Sequence, residues 1–129
     1  MFINVSNHSS ENWSEEQIRA AECYGDILDM PFPNIKTSCS KAEMNCLVRT
    51  YYDIIISLKP DAVMLQGEFV FTFRLATLLL RKDIPVFAAV SERVATESID
   101  ESGKVTKTSR FVFSGFRPYI DDIQLPDIA

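Results

Sequence analysis

Residues 60–93 read PDAVMLQGEFVFTFRLATLLLRKDIPVFAAVSER, and the fold turns on this stretch. Ala62 to Leu65 is a short apolar run that stops at Gln66-Gly67. From Phe69 the apolar residues recur at helical spacing through Phe73, Ala76, Leu79 and Leu80, so the period changes from strand to helix across a tight turn. After Lys82-Asp83 a second apolar run, Val86 to Val90, stops at Ser91-Glu92-Arg93. The stretch reads as one βαβ unit with parallel strands, each continuously apolar, as expected where both faces of a sheet are covered. In open parallel sheets ligands lie outside the carboxyl ends of the strands. Gln66, Gly67, Glu68, Ser91, Glu92 and Arg93 are therefore the first candidates for a site.

Towards the N-terminus, Phe2 to Ser6 is an apolar strand followed by a polar loop that holds Asn7 and His8. Ser14-Glu15-Glu16-Gln17 fits a capping box, with Trp13 placed to staple onto Ile18 and Gly25 to close the helix. Ile27 to Met30 is a brief strand ended by Pro31 and Pro33. A second capping box, Ser40-Lys41-Ala42-Glu43, starts a helix that Pro60 stops, with Leu47, Tyr51, Ile54, Ile55 and Leu58 on its buried side. Towards the C-terminus, Val94 to Ile99 and Val105 to Phe113 read as a β-hairpin turning at Asp100-Glu101-Ser102-Gly103. Phe116 to Ile120 extends the sheet, and Asp121 to Ala129 is an acidic arm or frayed end.

This order predicts one domain over 1–129, a Rossmann-like three-layer α/β/α sandwich whose mainly parallel sheet is extended by a C-terminal β-hairpin. Its parallel strands should take the order 2-1-3-4. The reversal then falls between the first and third strands. It puts the loop with Asn7 and His8 and the loop with Gln66, Gly67 and Glu68 on one crevice, with Ser91 to Arg93 beside them.

The chain has 129 residues and a formal charge of −5, which argues against broad binding of a long nucleic acid. No apolar run approaches the ~20 residues of a membrane span, and the N-terminus lacks a basic leader region, so a cytoplasmic protein is expected. Cys23, Cys39 and Cys46 are odd in number and have no C-x-x-C spacing, which suits idle thiols in a reducing compartment. There is no metal-ligand spacing, G-x-G-x-x-G or P-loop, so neither a metal nor a cofactor is expected.

His8 is the only histidine and could exchange a proton near neutral pH; its plainer reading is a loop residue that hydrogen-bonds backbone. The N–H groups of a helix opening at Gln66-Gly67-Glu68 would attract an anion, although the Glu68 carboxylate opposes a phosphate placed there. Gln66 offers donor and acceptor together, as the edge of a base or ribose requires. Among Arg93, Arg110 and Arg117, Arg93 is preferred as a phosphate grip because it follows a strand end; ion pairing is the ordinary role of each. Glu92 and Glu97 could pair with Arg93 or assist proton transfer.

Several short motifs together resemble a family. They are Ser6-Asn7-His8, Ser14-Glu15-Glu16-Gln17, Leu65-Gln66-Gly67-Glu68-Phe69, Ile84-Pro85-Val86, Ser91-Glu92-Arg93, Asp100-Glu101-Ser102-Gly103-Lys104-Val105 and Phe116-Arg117-Pro118-Tyr119. They look like the small single-domain CRISPR-associated proteins of type III systems, some of which are ring nucleases. The resemblance implies a domain related to the CARF sensors. Such a domain is usually a homodimer that binds a cyclic oligoadenylate and cleaves it without metal, and the motif matches carry over to His8, Gln66, Gly67, Glu68, Arg93 and Arg117. A sensor or sponge that does not cut the ring, and a structural subunit, are the competing readings.

Overall fold

The structure is a computed structural model that describes residues 1–121. The expected acidic arm therefore lies, beyond Asp121, outside the described residues. A five-stranded mixed sheet has the order β2-β1-β3-β4-β5, formed by β1 (Phe2–Val5), β2 (Ile27–Asp29), β3 (Ala62–Leu65), β4 (Val86–Ile99) and β5 (Val105–Pro118). The first four strands are parallel in the expected order, and β5 returns antiparallel to β4. Three α-helices connect them: α1 (Glu15–Glu22), α2 (Lys41–Leu58) and α3 (Phe69–Leu80).

Successive strand residues point to opposite faces, and here both faces are buried. On one side Ile3, Val5, Val63 and Leu65 pack with Val48 and Ile55 of α2 and with Phe71, Leu75 and Leu79 of α3. On the other, Phe2, Ala62 and Met64 meet Ala21 of α1, together with Trp13, Phe87 and Phe116. β1 and β3 are buried throughout, which is why they read as unbroken apolar runs.

Two expectations about the strands change. The strand beginning at Val86 does not stop at Ser91 but continues to Ile99, and the separate hairpin strand and terminal segment are one strand, β5. Only Val86 and Phe87 pair with β3; further along, β4 has β5 as its partner. A ribbon solvated on both faces tolerates polar residues, so Ser91-Glu92-Arg93 marks the end of the buried sheet and not of the strand. A bulge marks the same point, with Val90 opposite Gly115, Ser91 opposite Phe113, and Ser114 left over. The turn forms as expected: Gly103 has φ +82°, and the Asp100 carboxylate accepts from the N–H of Ser102 and of Lys104.

The burial of the helices also differs. α3 buries Phe71, Thr72, Leu75, Ala76, Thr77 and Leu79, while Phe69 is 88% exposed and Phe73 57%. Ala76 and Leu79 are buried as expected, but the buried face is turned by about a quarter turn from the expected stripe, because a helix this apolar on every side gives periodicity little to discriminate. On α2, Ile54 is exposed and Val48 is buried instead. The capping box at Ser40 is complete, whereas Ser14 caps Gln17 N–H and the Gln17 amide reaches to Met64 Sδ.

Candidate functional site

The reversal in strand order does fall between β1 and β3, and Gln66 N–H donates to Val5 O across it at 3.1 Å. The expected single crevice is nevertheless divided. Phe32, from the β2–α2 connection, fills its middle: a Cβ on Gly67 would stand 2.3 Å from the Phe32 ring, and Phe32 N–H reaches Ser6 O. Gly67 is thus required by close packing, and no feature of the sequence around Phe32 signalled this. Phe32 lines a polar cavity at the end of β1, and Gly67, against which its ring packs, lines a separate apolar cleft.

The polar cavity, about 290 Å³, is lined by Asn4, Ser6, Asn7, Ser9, Asp29 and Phe32, among others. Its network is built on Asn4, 2% exposed at the centre of the sheet. Asn4 Nδ2 donates to His8 O and to Asp29 Oδ1, each at 2.8 Å, while Ser6 Oγ donates to Asn4 Oδ1 at 2.7 Å. Asp29 also accepts from the N–H and hydroxyl of Ser10 and the hydroxyl of Ser9. Burial pushes the Asp29 carboxyl up, but the hydrogen bonds from Asn4, Ser10 and Ser9 together outweigh it and hold it below 3.8. His8 enters this network through its backbone; its ring is exposed and lines neither cavity.

The apolar cleft, about 610 Å³, runs between α3 and the sheet and includes Gln66, Phe69, Thr72, Phe73, Ala88 and Tyr119 in its lining. Gln66 Oε1 accepts from Ala89 N–H, which engages one of the two lone pairs of the amide oxygen. Tyr119 donates its hydroxyl to Leu65 O, and burial pushes its phenol above 10.0. Thr72 is 7% exposed and its Oγ1 has no hydrogen-bond partner, whereas Thr77 Oγ1 bonds back to Phe73 O at 2.8 Å. A buried hydroxyl without a partner costs roughly 1–3 kcal/mol, which a ligand can recover. Thr72 carries no sequence signal and reads as an ordinary helix residue, while Tyr119 stands in the Phe116–Tyr119 motif, where Arg117 is the residue singled out.

The helix terminus is not open to an anion. Glu68 is the N-cap of α3, and its carboxylate accepts from Val70 N–H at 2.8 Å and Phe71 N–H at 2.9 Å. Ser91, Glu92 and Arg93 lie on the ribbon, where Arg93 faces Phe111 and its guanidinium contacts Ser109 Oγ at 3.4 Å. Arg93 is four residues beyond Ala89, the one that Gln66 touches, or roughly 13 Å along an extended strand. Arg117 is better placed: its partner in the register is Ala88, which lines the cleft, so the two share one face of the sheet. Glu97 pairs with Lys107 at 3.4 Å and not with Arg93. Among the described residues no group of three or more His, Cys, Asp and Glu is arranged to hold a metal, and no helix is long and apolar enough to cross a membrane.

The fold and cavities define an α/β chain with a mixed sheet and a ligand-sized cleft beside the strand-order reversal. The chain belongs to the Uncharacterized protein MJ1673 family, whose family model matches residues 1–117. The match takes in every strand and helix, short only of the last residue of β5. Comparison with curated proteins gives no match.

Proposed function

We propose that the protein is a cytoplasmic homodimer that binds a cyclic oligoadenylate and opens the ring without metal, as a ring nuclease of the CRISPR-associated kind. What supports binding is the cleft: a nucleotide-sized cavity with Gln66 at one end and the unpartnered Thr72 hydroxyl in its wall. An aromatic and aliphatic lining with a few polar groups is the usual make-up of a site for a small ligand. The domain is read as a Rossmann-like three-layer sandwich, supported by the parallel order β2-β1-β3-β4 and by cores on both faces of the sheet.

In the cleavage step the ribose 2′-hydroxyl attacks the neighbouring phosphorus and gives up its proton. The bond from phosphorus to the 5′-oxygen breaks, and that oxygen takes a proton. His8 is the proton donor in this reading, and Arg93 balances the charge that builds on the phosphate. A second reading, binding without cleavage, is favoured by particular observations: Arg93 lies out on the ribbon, and Glu68 already occupies the α3 N–H groups.

Incubation with labelled cyclic oligoadenylate separates the two. Linear products from the wild type, slowed about a hundredfold or more in His8→Ala at unchanged affinity, are the result expected of general acid catalysis. If Arg93 grips the phosphate, Arg93→Ala weakens binding by roughly 1.5–3 kcal/mol, and unchanged affinity takes Arg93 out of the site. Binding with no products leaves the sensor reading, and no binding at all sinks both.

A further inference from the structure

A second cavity adjoins the apolar cleft, and the two share Phe73 and Thr77 on α3. It measures about 590 Å³ and lies between α2 and α3, with Lys41, Arg49, Arg74 and Arg81 around a floor of Val48 and Leu78. Four of the chain's thirteen Lys and Arg residues thus line one groove of a protein whose formal charge is −5. Among the described residues no carboxylate lies within ion-pair distance of Lys41, Arg49 or Arg74. Two of these cations are held in place. Half-buried Arg74 donates from Nη1 to Asn45 Oδ1 at 2.7 Å, and the Arg49 guanidinium sits 5.3 Å from the centroid of the Tyr52 ring. Clustered like charges repel, and an anion that enters the groove relieves the repulsion.

We propose that this groove binds the phosphate groups of a nucleotide whose base lies in the apolar cleft on the other side of Phe73. The proposal rests on the reading that the cleft takes a nucleotide, and it moves the phosphate grip from the ribbon to α2 and α3. Phe73, Thr77 and Arg81 follow one another at four-residue spacing, so a single stripe of α3 leads from the cleft into the basic groove. On the cleft side the buried Thr72 hydroxyl has no partner and Gln66 reaches the wall, which gives the edge of a base groups to meet. On the groove side two guanidiniums offer paired N–H donors matched to phosphate oxygens. The exposed Phe73 ring between them can lie against the base or the sugar.

Three probes test the arrangement on the full chain: tripolyphosphate, which has no base; adenosine, which has no phosphate; and cyclic tetra-adenylate. The variants are Arg49→Gln combined with Arg74→Gln, and Thr72→Val, each checked for folding by its melting temperature without ligand. Tripolyphosphate should bind the wild type in a salt-dependent way and bind the double variant about tenfold or more weakly, since charge-assisted hydrogen bonds are lost. Adenosine should bind the double variant as it binds the wild type, and bind Thr72→Val less well. Equal tripolyphosphate affinity in wild type and double variant, or none in the wild type, overturns the proposal. Cyclic tetra-adenylate that binds both proteins equally keeps the function proposed above and overturns the groove. Groove-dependent tripolyphosphate binding without any binding of cyclic tetra-adenylate supports the groove and sinks that function.

Discussion

Asp29 shows how a single side chain organises the end of the sheet. Its carboxylate gathers the amide of Asn4 and the hydroxyls of Ser9 and Ser10, and so holds the loop that carries His8. Because the folded-state pKa is lowered, the carboxylate contributes stability that is fully present above the unfolded value and is lost as pH falls through the folded one. Denaturation midpoints measured from neutral pH down to about pH 2 should therefore fall more steeply for the wild type than for Asp29→Asn below about pH 4. Parallel curves would show that the network does not depend on the ionised form. Asp100, also lowered, first by its bond from the Ser102 hydroxyl, is common to both proteins, so it cancels in the comparison.

At the scale of the element, α3 combines a strong cap with an unusual outer surface. Glu68 takes two otherwise unsatisfied N–H groups, and Glu68→Ala should cost about 1 kcal/mol, the ordinary loss when a capping acceptor is removed. A thermal melt measures it, and an unchanged midpoint would mean that solvent replaces the carboxylate without loss. The same variant frees Val70 N–H and Phe71 N–H. The carboxylate that stabilises the helix therefore also keeps anions off its terminus, and a ligand must approach α3 from the side, where Phe69 and Phe73 are exposed.

For the whole molecule, the proposed homodimer would be built on the β4–β5 ribbon. A two-stranded ribbon alone is marginally stable in water, and one face of this one exposes Phe111, at 76%, together with Ile99 and Val105. Phe111 continues the aromatic series Phe113, Phe116 and Phe2 outward from the core, Phe113 and Phe116 having ring centroids 5.1 Å apart. A second copy packed on this face would cover Phe111, Ile99 and Val105 of both chains, together with the Glu97–Lys107 pair that lies between them, by two-fold symmetry. Sedimentation at micromolar concentration should give twice the chain mass of 14.6 kDa, and Phe111→Ser combined with Ile99→Ser should shift it to the single chain. A monomeric wild type, with and without cyclic oligoadenylate, would contradict the dimer.

Sequence alone determined whatever depends on local period and on chain connectivity. The runs Ala62–Leu65 and Val86–Val90 around an apolar helix, with the caps at Ser14 and Ser40, made the parallel order β2-β1-β3-β4 legible, because right-handed crossovers leave few alternatives. Tertiary structure decided what depends on contacts between residues distant in the chain. Phe32 divides the crevice because its ring meets Gly67, thirty-five positions away, and no pattern around either residue announces the meeting. Arg93 leaves the crevice because β4 finds a partner in β5 where its apolar run ends, and polar composition cannot tell a strand that stops from one that leaves the core. Thr72 becomes a site candidate only because packing in the wall of the cleft leaves its buried hydroxyl without a partner, and Lys41, Arg49 and Arg74 become one groove only when α2 lies beside α3. Burial and proximity are properties of the packed chain, and these two properties turn ordinary side chains into a candidate site.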